Sequence, residues 1–156
     1  MCIKPIKLKS LIFWIGSALL AGGIGALLGG DTGKYTYFNK PPLSPPAIVF
    51  PIAWGILYVL MGIGAYIIKN ENSKLSPAAL KLYTAQLVMN MLWPLIFWRV
   101  EAIGFAAFWL GVILLITVVL SYLTFKINRC AFYFFIPYLL WLCFALYLNI
   151  GMAILN

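Results

Sequence analysis

Gln86, Asn90, Trp54 and Trp141 are the side chains best placed to meet a small molecule, because each lies a turn or more inside an apolar stretch. Tyr83, Gln86, Asn90, Trp93 and Phe97 follow one another at steps of three or four, which sets them on one helix face. Amides at bilayer depth need hydrogen-bond partners, and an interhelical bond and a ligand contact both satisfy that need. Phe50, Trp54 and Tyr58 repeat the pattern at steps of four, and Trp141 and Ala145 follow beyond Pro137. Pro51, Pro94 and Pro137 each remove a helix N–H, so kinks in three helices are expected to open an aromatic-lined cavity. Packing alone would use the same stripes.

Other chemistry is excluded by what the chain lacks. It has no histidine, and its only carboxylates, Asp31, Glu71 and Glu101, fall at or beyond the ends of the apolar runs. A catalytic triad, a paired-carboxylate site, a zinc site and a histidine-ligated haem cannot be assembled from these residues. Ion pumps and proton relays usually need ionisable groups mid-span, and there are none. Cys2, Cys130 and Cys143 have no paired spacing, so neither a disulfide nor a metal site is expected. No cofactor is required.

The elements that must position these residues are membrane helices. The 156 residues are 65% hydrophobic and 9% charged, with a mean hydropathy of +1.03, outside the range of soluble domains. A hydrocarbon core needs about 20 apolar residues per crossing, and five such runs are present, at 11–28, 47–68, 78–98, 102–125 and 130–155. The expected fold is an all-α bundle of five transmembrane helices in one domain. Lys4, Lys7 and Lys9 ahead of small residues at Ala21 to Gly25 also fit a signal peptide, but 11–28 is read as the first span. Gly25 and Gly29 in that span are spaced for close approach of another helix. Residues 29–46 form a proline-rich outer loop. Ser44-Pro45-Pro46 and Ser76-Pro77 are read as helix starts, with serine caps and proline where no N–H is needed.

The formal charge of +8 suits anionic lipid rather than nucleic acid, because the charges lie between apolar runs. On alternating sides, Lys4, Lys7, Lys9, Lys69, Lys74, Lys81, Lys126 and Arg129 face Lys34, Lys40 and Arg99. This asymmetry predicts a multi-pass cell-membrane protein with a cytoplasmic N-terminus and the C-terminus outside.

Three blocks of sequence, in register, resemble the TspO/MBR family, the translocator proteins or peripheral-type benzodiazepine receptors. Tyr35 to Ala65 is similar to the family's K-P-x-W-x-P-P loop followed by W-x-x-L-Y-x-x-M-G. Gln86 to Phe97 resembles Q-L-x-x-N-x-x-W-x-x-x-F, and Pro137 to Asn149 resembles P-Y-x-x-W-x-x-F-A-x-x-L-N. The resemblance implies a cavity under the first loop that takes porphyrins such as protoporphyrin IX or haem, and other hydrophobic ligands. Its lining falls on Tyr35, Pro45, Trp54, Asn90, Trp93, Trp141 and Ala145, to which the stripes add Tyr58, Gln86 and Phe97. Trp54 and Trp141 match tryptophans implicated in light-dependent porphyrin degradation by some bacterial members, so they are the catalytic candidates if the protein is an enzyme. Two departures concern the loop: Leu43 replaces its tryptophan, and Lys34 replaces the tryptophan before its first tyrosine. Tyr147 is not followed by the Lys or Arg of the animal sterol pattern, so sterol specificity is not supported. A homodimer is expected from the resemblance, with Ala78, Ala79 and Ala85 of the third helix as its small-residue contacts. A structural or adaptor protein needing no ligand is the third alternative.

Overall fold

Helices are the only regular elements that satisfy every backbone N–H and C=O within one segment in hydrocarbon, and all regular elements among the described residues are helical. The structure, a computed structural model, describes residues 6–156. Cys2 and Lys4 lie outside them. Five helices follow in order: α1 Leu8–Gly29, α2 Val49–Asn70, α3 Ser76–Pro94, α4 Ile103–Ile127 and α5 Arg129–Leu155. Each matches a predicted span to within a few residues. Four are long and apolar enough to cross a membrane on their own. The exception, α3, carries the buried amides Gln86 and Asn90, and its crossing is lengthened by a π turn at Leu95–Arg99.

Around the bundle the helices run α1, α2, α5, α4, α3, with α3 closing against α1. Glycine sets how α1 leans between its two neighbours. A Cβ on Gly62 of α2 would stand 2.6 Å from the Ile15 Cα, so these backbones touch in the half remote from the first loop. Nearer the loop, a Cβ on Gly25 would stand 2.9 Å from the Met91 carbonyl oxygen, and one on Gly29 2.9 Å from the Pro94 ring. The Gly25/Gly29 spacing thus serves the approach of α3 within the chain.

Several local expectations are corrected. Pro51 is the third residue of α2, where its missing N–H has no intrahelical acceptor, so it does not kink the helix. Pro94 leaves the Asn90 carbonyl without its usual donor, at the junction where α3 passes into the π turn. Ser44 caps nothing: its hydroxyl donates to the Pro41 carbonyl at 2.7 Å, and α2 begins after Ile48. Ser76 is already helical and donates to the Glu71 carbonyl at 3.3 Å. A cap does exist at Asn128, whose side chain accepts from the N–H groups of Cys130 and Ala131 and starts α5. Ala79 is fully buried in the core, which removes it from any dimer contact, while Ala78 and Ala85 are exposed.

Candidate functional site

The first loop folds back over the bundle as a lid. Asp31 accepts from the Gly33 N–H at 2.7 Å and starts a 3₁₀ turn, Thr32–Thr36, that drives Tyr35 inward until it is 5% exposed. The Tyr35 hydroxyl donates to the Pro45 carbonyl at 2.8 Å, and its ring meets Phe50 and Trp98 edge-on. Burial pushes the Tyr35 phenol above its ordinary pKa, a shift partly opposed by the Ser44 side chain. Lys40 holds its ammonium 4.6 Å from the centre of the Tyr35 ring. Lys34 pairs with Glu101 of the α3–α4 connection, and so ties the lid to that side. On the other side, Asn39 exchanges hydrogen bonds with Asn156, and the Tyr147 hydroxyl donates to the Pro42 carbonyl at 2.8 Å.

Beneath the lid is a cavity of about 480 Å³, within the size range of small-molecule sites. Aromatic rings dominate its wall. Trp54 packs within 5.6 Å of Tyr58 and 6.3 Å of Trp141, and Trp93 stacks on Phe97 with centroids 4.8 Å apart. No charged side chain lines it among the described residues.

Its polar atoms differ in how fully they are used. The Asn149 side chain is engaged at both ends, accepting from the Trp93 indole at 3.2 Å and donating to the Ile103 carbonyl at 3.0 Å. Asn90 is 2% exposed and donates to the Tyr58 hydroxyl over a long 3.4 Å, which leaves its amide oxygen available. The Trp141 indole N–H is buried and has no acceptor. A buried donor without a partner costs about 1–3 kcal/mol. The arrangement therefore offers flat apolar walls and one available acceptor, the Asn90 amide oxygen.

Of the residues expected at the site, Tyr35, Trp54, Tyr58, Asn90, Trp93, Phe97, Trp141 and Ala145 converge on the cavity. Gln86 and Pro45 do not line it. Gln86 accepts from the Tyr138 hydroxyl at 2.7 Å and points an amide N–H at the Met61 sulfur, so it joins three helices. Pro45 contributes its carbonyl to Tyr35 from within the lid. Leu43 adopts a left-handed backbone with φ of 68° and is 82% exposed, turned away from the cavity where the family pattern has tryptophan. Residues missed from sequence include Trp98, Asn149 and the α1 face Leu19, Gly22, Gly23 and Ala26. Asn149 was within reach, standing two turns after Trp141 on the same face. The α1 face, small and featureless, carries no chemical signal.

Comparison with known proteins shows the family of the chain. The sequence profile of the TspO/MBR family matches residues 14–155. The chain is 36% identical over 132 residues to the tryptophan-rich sensory protein of Cereibacter sphaeroides, covering 85% of this chain and 82% of that protein. It is 37% identical over 128 residues to the translocator protein of Ovis aries, covering 76% and 72%. With the tryptophan-rich protein TspO of Chlorobaculum tepidum it shares 31% identity over 159 residues, covering 96% and 98%. A profile match over nearly the whole chain, on a five-helix membrane bundle, makes this protein a multi-pass member of the TspO/MBR family.

Proposed function

We propose that the protein binds a planar tetrapyrrole such as protoporphyrin IX in the cavity beneath the lid, in a sensing, transport or regulatory role. The observation that carries this reading is the aromatic wall, in which Trp54, Trp93, Phe97 and Trp141 line an uncharged cavity beneath the lid. Trp54 and Trp93 would stack on the macrocycle, Asn90 and Trp141 would orient it, and its carboxylates would lie at the mouth near Lys40. The porphyrin is a ligand here rather than a required cofactor. Titration of protoporphyrin IX against tryptophan fluorescence should give saturable quenching, weakened in Trp141→Ala. Quenching that never saturates at micromolar porphyrin overturns the proposal.

Contact between Trp54 and Trp141, at 6.3 Å between rings, favours a second reading in which these tryptophans support light-dependent porphyrin breakdown. Illuminated wild type should then lose its Soret band faster than a Trp54→Phe/Trp141→Phe double variant, and equal loss rejects this role. The protein is further proposed to lie in the cell membrane as a homodimer, with its lid outside.

A further inference from the structure

We propose that ligand enters the cavity sideways from the bilayer, through a gap between α1 and α2 in the half of the membrane nearest the lid. The gap follows from how α1 leans. It is held against α2 at Gly62, crosses it at Gly22, where a Cβ would overlap the Tyr58 ring, and beyond that point packs on α3 through Gly25 and Gly29. Past the crossing, α1 and α2 part.

The margins of the gap belong at once to the cavity wall and to the outer surface. Gly23 and Ala26 of α1 and Pro51 of α2 line the cavity and are at the same time exposed. Gly55, half-buried, completes the α2 edge. A Cβ placed on Gly23 or Gly55 would meet nothing within 4 Å, so these glycines serve no close helix contact. What they leave is width. The entrant is a hydrophobic molecule dissolved in the acyl-chain region, since no charged group among the described residues borders the opening. The lid, by contrast, is tied down on both sides by Lys34–Glu101 and by Asn39–Asn156.

This inference rests on the proposed function only in taking the cavity to receive a ligand. Gly23→Leu and Gly55→Leu, alone and together, narrow the gap without a backbone clash, and leucine is the better helix former. Stopped-flow quenching by protoporphyrin IX in phosphatidylcholine nanodiscs should show association and dissociation both slowed about tenfold in the double variant, whereas leucines that merely filled the cavity wall would speed dissociation. Lys34→Gln, which loosens the lid, should leave both rates as in wild type. Unchanged rates in the leucine variants, or faster entry in Lys34→Gln, overturn lateral entry while leaving porphyrin binding intact. A second readout needs no porphyrin: phosphatidylcholine brominated on its acyl chains should quench the tryptophans of wild type more than those of the double variant. Equal quenching rejects the gap even if wild type binds no porphyrin at all.

Discussion

Two buried amides on one helix face, a single turn apart, have different work. Gln86 accepts from Tyr138 across the core, so Gln86→Ala leaves a buried hydroxyl without its acceptor and should cost about 1–3 kcal/mol of stability. Porphyrin affinity in that variant should stay as in wild type. Asn90→Ala removes only a 3.4 Å contact to Tyr58 but takes away a cavity polar group. It should keep the melting temperature of the empty protein and weaken porphyrin binding by several-fold to about tenfold, the effect of one net hydrogen bond. Melting curves and titrations on both variants check this pair, and a destabilised Asn90→Ala with unchanged affinity would defeat the assignment. The stripe was legible in sequence; the division of labour was not, because it depends on which residue of a neighbouring helix stands opposite each amide, Tyr138 of α5 for Gln86 and Tyr58 of α2 for Asn90. Tyr35 supplies a pH test. Its buried phenol ionises above the ordinary value of 10.0, whereas the unfolded phenol ionises at that value. Its bond to Pro45 therefore stabilises the lid fully below pH 10.0 and loses that effect as pH climbs through the folded-state value. The melting-temperature advantage of wild type over Tyr35→Phe should shrink above that point; a constant difference there would reject the linkage.

Among the elements, the helices could be read because the hydrocarbon core imposes a minimum length and because prolines and charges punctuate the runs. Their ends and contacts could not. Ser44 and Ser76 carry a start signal whose hydroxyls are taken by nearby carbonyls, while Asn128, with no proline beside it, is the cap of α5. Asn128→Ala should accordingly cost about 0.5–2 kcal/mol. Glycine roles are equally invisible in one dimension. Gly62→Ala forces the α1 and α2 backbones apart and should lower stability by about 1–3 kcal/mol, whereas Gly16→Ala meets open space and should be neutral or raise it by about 0.5–1 kcal/mol. Thermal unfolding in detergent ranks the three variants, and a Gly62→Ala as stable as wild type would contradict the packing of α1.

For the whole molecule, the imbalance of basic residues predicts the lid outside. A cysteine placed at Asn39 should react with an impermeant reagent on intact cells and one at Ser73 should not; the opposite pattern inverts the orientation. A dimer through α3 should be trapped by oxidation of Ala85→Cys but not of Ala79→Cys, since only the first position is exposed. The ties between the lid and α5 carry a further consequence, in time rather than in space. Asn39 and Asn156 are 117 residues apart, as Pro42 and Tyr147 are 105. While a chain is being synthesised, the first loop is made early and the partners that fasten it emerge late, so the nascent bundle holds its aromatic chamber uncovered until α5 is in place. Newly made protein would therefore be the form most open from above, and closing the lid would be among the final steps of assembly.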